Sequence, residues 1–161
     1  MNTVEFNKTV DLYSDNLYRF ILKSVRDTDK ARDVVQDTFE KMWQKVDEIP
    51  FDKAKSYMFT TGYRTMIDMI RKDSKQTDFS EVNENEHSST EQYSGLQEIL
   101  HEAANRLPDI QRNVIMLRDY EGYSYEEIGE VTGLSESQVK VYIFRARKAM
   151  KAYLVSIEAV I

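Results

Sequence analysis

The chain contains no cysteine, which excludes a disulfide framework, a thiolate metal site and a cysteine nucleophile. Two prolines and five glycines in 161 residues are too few for a turn-rich sandwich, a glycine-rich nucleotide loop or a collagen-like stretch. No run approaches the roughly 18 apolar residues that a membrane span needs, and Met1 to Val10 has no apolar signal core. A soluble, cytoplasmic protein with no membrane insertion of its own is expected. What is present is ordinary globular composition, 41% hydrophobic and 31% charged, enough to build one domain or two small ones.

The formal net charge of −6 is unevenly spread. Residues 1–75 carry +1, residues 76–95 carry −5 without one base, and residues 96–161 carry −2. Inside that last part, residues 137–157 hold Lys140, Arg145, Arg147, Lys148 and Lys151 and no acid. Charge sorted by segment points to different partners for different segments. An acidic average is compatible with nucleic acid, because phosphate responds to the local basic surface.

The apolar pattern is helical throughout, and no window alternates with the period of a half-buried strand. Phe6, Val10, Tyr13, Leu17, Phe20 and Ile21 form the stripe of a first helix. A second starts after Asp27 or Thr28, with Ala31, Val34, Val35, Phe39, Met42, Trp43 and Val46 on one side. Pro50 falls in a loop, and Asp52 can cap a third helix that carries Phe59, Tyr63, Met66 and Ile70 and reaches Lys72 or beyond. Asp73 to Ser94 is rich in Ser, Thr, Asn, Gln and Glu, with Phe79, Val82 and Tyr93 its large apolar residues. Such composition buries too little surface to offset chain entropy, which favours a flexible acidic linker over a surface helix. A fourth helix follows with Leu96, Ile99, Leu100, Ala103 and Leu107. Pro108 suits the first turn of a fifth, which carries Ile110, Val114, Ile115 and Leu117 and ends at Gly122. The fold class is therefore all-α: two small helical domains, 1–74 and 96–161, joined by an acidic linker over 75–95.

The sharpest local signal is Tyr125 to Phe144, YEEIGEVTGLSESQVKVYIF. Ser124 with Glu127, and Ser135 with Gln138, each have capping-box spacing at a helix start. Gly133 between them supplies a left-handed turn, and Gly129 lets the two helices approach. Ile128, Val131, Leu134, Val139 and Ile143 are placed to share a core. This is the helix-turn-helix pattern, whose second helix enters the major groove by its N-terminal residues. Outward positions on that helix are Glu136, Ser137, Gln138, Lys140, Val141, Phe144, Arg145, Arg147 and Lys148. Gln and Lys can read base edges, while Arg, Lys and the helix N-terminus can hold phosphates. The plainer alternative is a solvated basic face on an ordinary helical hairpin. Two capping boxes, a turn glycine and an acid-free basic tail together favour DNA binding.

With these residues in view, the chain resembles an extracytoplasmic-function sigma factor. RLPDIQRNVIMLRDYEGYSYEEIGEVTGLSESQVKVYIFRARKAM resembles sigma region four, DVVQDTFEKMWQ the polymerase-binding helix of region two, and KSYMFTTGYRTMIDMIRK the helix that handles the minus-ten element. The resemblance implies a transcription initiation factor with core RNA polymerase, promoter DNA and an anti-sigma protein as partners. By the same resemblance, Asp33, Gln36, Asp37 and Glu40 dock the polymerase, with Phe39 and Trp43 either flanking that contact or packed in the core, the latter favoured. Tyr57, Arg64, Asp68, Arg71 and Lys72 meet the minus-ten element, the basic pair on backbone phosphates, and the loop Ile49 to Ser56 forms a pocket for a flipped base. Ser135, Glu136, Ser137, Gln138, Lys140, Val141, Phe144, Arg145, Arg147 and Lys148 meet the minus-thirty-five element. Tyr57 stands where the family usually has Trp, Arg64 where it has Asn, and Ser135 to Gln138 replace a common Gly-Thr-Val start. The Phe59, Tyr63 and Met66 stripe is read as core in preference to a DNA-melting surface.

Other constellations are weak. His87 and His101 have no second ligand at metal spacing and read as solvated surface. No nucleophile–base pairing stands out, and Glu126 and Glu127 read as helix-start charges. No enzyme activity, cofactor, metal or small-molecule substrate is expected. A stand-alone helix-turn-helix regulator and a protein-binding helical adaptor are the rival readings, the first needing a dimer and a palindromic site.

Overall fold

A computed structural model describes residues 1–76 and 95–160. They are helical, with no strand among the described residues, and fall into two compact units, the first built on residues 1–76 and the second on residues 95–160 apart from Glu130–Thr132. Phe79, Val82, His87 and Tyr93 of the expected linker lie outside the described residues. The linker's expected margins are helical: α3 continues to Gln76 and Gly95 opens α4.

The first unit packs three helices pairwise, α1 (Thr3–Val25), α2 (Thr28–Gln44) and α3 (Ala54–Gln76). Asn2 and Glu5 form a capping box at the start of α1, and Asp27 accepts the backbone N–H groups of Asp29 and Lys30 at the start of α2. The stripe residues Leu17, Phe20 and Ile21 meet Val34 and Met42 of α2 and Phe59 and Met66 of α3 in a fully buried core. Two short 3-10 turns, Val46–Glu48 and Phe51–Lys53, lead into α3 around Pro50. Asp52 therefore lies inside a turn and caps nothing, because α3 grows directly out of that turn at Ala54.

Two stripe positions differ from expectation. Trp43 is 48% exposed and packs edge-on against Phe6 with ring centroids 5.2 Å apart, so it is not core. Phe39 is half-buried.

The second unit contains α4 (Gly95–Asn105), α5 (Asp109–Ile115), α6 (Tyr125–Thr132) and α7 (Glu136–Val160), with α5 and α4 packed on α7. Pro108 holds the N-cap position of α5 rather than its first turn, with the extended ψ of 152°. Leu96 is 66% exposed, away from the buried α4 residues Ala103 and Ala104, while Leu107 is buried just past the helix end. Arg112 is buried, its guanidinium donating to the Leu107 carbonyl and to Asp109 at 2.6 Å. It ties the α4–α5 corner together, a role the apolar periodicity did not flag.

From Met116 to Tyr120 the helix widens into a π-turn, marked by the Glu121 N–H reaching the Met116 carbonyl at 3.2 Å. Gly122, at φ 73°, then reverses the chain, and the Tyr123 N–H returns to the Leu117 carbonyl.

Candidate nucleic-acid interface

The two capping boxes form as their spacing predicts. The Glu127 N–H donates to the Ser124 hydroxyl at 3.1 Å while the Glu127 carboxylate accepts the Ser124 N–H at 2.8 Å. Ser135 and Gln138 repeat the exchange at 2.9 and 3.1 Å. Gly133, at φ 81°, sends its N–H to the Gly129 carbonyl and ends α6 in the left-handed conformation. Ile128, Val131, Val139 and Ile143 are buried as expected, and Leu134 half-buried.

Burial of Val139, Ile143 and Ala146 fixes the roll of α7. Every outward position named from the sequence is then exposed: Glu136, Ser137, Gln138, Lys140, Val141, Phe144, Arg145, Arg147 and Lys148, with Ser135 exposed at the cap. Phe144 is 66% exposed and Val141 44%, an apolar pair on an otherwise polar and basic face. Capping uses the Gln138 amide oxygen and leaves its N–H groups as donors for a base edge. Lys140 lies 3.3 Å from Glu136 and 5.7 Å from the Tyr125 ring centroid, while the Arg118 guanidinium sits 4.5 Å from the same centroid. Tyr125, Lys140, Ile143, Phe144, Arg147 and Lys148, with Lys151 further along, line an open groove of about 530 Å³ beside α7. Desolvation, and then the Asp119 carboxylate, raise the phenol pKa of neighbouring Tyr120 above its ordinary value.

The first unit presents two further faces. On α2, Asp33, Gln36, Asp37 and Glu40 are all exposed, opposite buried Ala31, Val34, Thr38 and Met42. Helical spacing sets the exposed Trp43 ring on the flank of that acidic face. On α3, Arg64, Asp68, Arg71 and Lys72 are exposed and Tyr57 is half-buried, all at spacings that share one side of the helix. Phe59, Tyr63 and Met66 lie on the other side, with Phe59 and Tyr63 5.9 and 6.3 Å from Phe20. Their core reading holds. Ala54 to Ser56, expected in a loop, begin α3 instead, which leaves Ile49 to Lys53 as the connection. Ile49 is buried, and Phe51 is 39% exposed with Lys8 5.9 Å from its ring.

His101 is half-buried on α4 rather than fully solvated, and no group of residues suited to a metal ion occurs among those described.

A capped helix-turn-helix with an exposed basic face, together with a three-helix unit bearing acidic and basic faces, is the architecture of a helix-turn-helix DNA-binding protein. Residues 9–76 match the sigma-70 region 2 family and residues 97–150 the sigma-70 region 4 family. The RNA polymerase sigma factor SigV of Bacillus subtilis (strain 168) is 30% identical over 151 residues, covering 88% of this chain and 86% of the relative. The ECF RNA polymerase sigma factor SigM of the same strain is 27% identical over 146 residues, covering 88% and 90%. Among solved structures, the sigma factor RpoE in complex with the anti-sigma factor NepR from Bartonella quintana aligns with a TM-score of 0.79 at 27% identity, over 92% of this chain and 96% of that one. CnrH in complex with the cytosolic domain of CnrY aligns at 0.69 and 25%, over 96% and 90%. The chain belongs to the extracytoplasmic-function group of RNA polymerase sigma factors. It serves core polymerase in promoter-specific initiation of transcription, and no described helix is long and apolar enough to cross a membrane.

Proposed function

We propose that the work of initiation is divided among three faces of this chain. The outward side of α7, from Ser135 to Lys148, reads the minus-thirty-five element as duplex in the major groove. The side of α3 carrying Tyr57, Arg64, Asp68, Arg71 and Lys72 meets the minus-ten element. Asp33, Gln36, Asp37 and Glu40 of α2 dock core polymerase. Residues 1–74 and 96–161 act as separate domains with 75–95 between them, in the cytoplasm and without enzymatic chemistry. The solved relatives RpoE and CnrH are in complex with the anti-sigma factor NepR and with the cytosolic domain of CnrY, and an anti-sigma protein is accordingly the regulatory partner proposed here.

The roll of α7 carries this reading: burying Val139, Ile143 and Ala146 leaves its polar, basic and apolar reading positions facing outward together. Tethering two modest DNA contacts on one chain raises the effective concentration of the second once the first is made.

Run-off transcription with core polymerase, this protein and a fragmented bacterial genome tests the whole scheme. Starts that share a two-part upstream motif are the expected result. Duplex binding without polymerase binding or transcripts overturns it and favours a stand-alone helix-turn-helix regulator.

A further inference from the structure

Asp119 and Arg147 are 28 residues apart in the chain, yet an Arg147 Nη2 hydrogen donates to Asp119 Oδ1 at 2.7 Å. Asp119 stands in the π-turn Met116–Tyr120, while Arg147 lines the groove beside α7 together with Lys140, Lys148 and Lys151. Glu136 and Asp119 reach its edge only through their ion pairs with Lys140 and Arg147, and Tyr125 and Phe144 supply its aromatic walls.

The position along α7 matters. Arg147 is about 18 Å up the helix from the Ser135 cap at 1.5 Å per residue. The major groove is about 12 Å wide. When the first turns of α7 enter it, Arg147 and its neighbours lie past the floor, where a sugar-phosphate strand runs. Glu136 and Asp119 pair with Lys140 and Arg147, and Lys148 and Lys151 leave the groove net positive, which suits a phosphodiester. Guanidinium matches it in shape as well, offering paired donors to two oxygens. One Arg147 N–H on Asp119 leaves the other donors for the phosphate.

Resting on the reading of α7 as the minus-thirty-five helix, we propose that this groove seats one backbone phosphate of that duplex, and that Asp119 is a positioning residue that aims Arg147 at it. An exposed arginine otherwise loses rotamer freedom on engaging DNA. A carboxylate that already holds the guanidinium removes part of that cost.

Simple charge counting predicts the opposite sign, since neutralising an acid beside DNA should tighten binding. The two are separated by measuring promoter affinity of the reconstituted holoenzyme against salt for wild type, Asp119→Asn, Arg147→Gln and the double variant, with urea unfolding run alongside. Arg147→Gln is expected to weaken binding about tenfold and to flatten the salt slope by about one, equally on promoters with altered minus-thirty-five bases. Asp119→Asn is expected to weaken it about threefold, and to add nothing in the Arg147→Gln background. Tighter binding by Asp119→Asn, or an equal loss in both backgrounds, overturns the proposal. A merely structural role would shift the urea midpoint and leave the salt slope unchanged, which also overturns it. If base changes in the upstream element fail to alter wild-type binding, the parent reading of α7 has failed instead.

Discussion

The carbonyl oxygen of Leu134 stands 2.8 Å from where a β-carbon on Gly129 would be placed. The turn of the helix-turn-helix thus folds directly onto α6, and the obstructing atom is backbone. Gly129→Ala gains about 1 kcal/mol of helix propensity but must push the turn away. A net loss of about 1–2 kcal/mol in urea unfolding is expected, together with weaker duplex binding. Unchanged stability would show that the turn yields freely.

Gly62 offers the contrast. A β-carbon there meets Leu17 Cδ1, also at 2.8 Å, but this is the end of a side chain that can rotate. Leu17 is fully buried between helices, so the room must come from repacking. Gly62→Ala is expected to stay within about 1 kcal/mol of wild type, because propensity offsets overpacking. Thermal unfolding of Gly62→Ala beside Phe59→Ala, which should cost about 3–5 kcal/mol, calibrates the comparison.

The Ser135–Gln138 exchange satisfies two backbone donors at the start of α7. Ser135→Ala should cost about 1 kcal/mol of stability. Because the same turn is proposed to face DNA, Ser135→Ala should also loosen promoter binding, read by anisotropy. Ser124→Ala, at the start of α6, is expected to match the stability loss with a smaller effect on affinity.

Asp37 and Glu40 are exposed on α2 and lie opposite its buried stripe. Reversing both to lysine should leave unfolding within about 0.5 kcal/mol of wild type. Capture of core polymerase should nevertheless be lost, while the isolated protein keeps its duplex binding. Trp43→Ala tests the flank of that face by the same pull-down, with a partial loss expected. Retained capture in the double reversal would remove α2 from the polymerase contact.

The helix-turn-helix was legible because its devices are local. A capping box needs only the residue types three positions apart, and Gly133 marks a left-handed turn by itself. The Phe59–Tyr63–Met66 stripe was legible for a related reason, since 3.6-residue periodicity reports which side of a helix is covered. Trp43 was not, because its stripe position says nothing about Phe6 lying edge-on at the rim instead of a core closing over it. The π-turn was also hidden: widening by one residue changes no residue type, and it goes with the reversal at Gly122 and the Tyr123 N–H returning to Leu117. The Asp119–Arg147 pair follows from that turn and was therefore invisible. Arg112 escaped because a buried cation looks like surface in any pattern of apolar residues.

The α7 helix runs unbroken for 25 residues, Glu136–Val160, and its Tyr153 ring stacks 4.2 Å from the Arg106 guanidinium just past the end of α4. The region 4 family match stops at residue 150, but the helix continues to Val160. Taken as a rigid rod pivoting at buried Val139, a tilt of ten degrees at its first turns swings Ile157 through about 5 Å, given about 27 Å of helix between them. Under the proposed reading of α7, the angle at which bases are approached would therefore be set partly by how the far end is seated on α4, and promoter preference could be retuned from a corner proposed to touch no base.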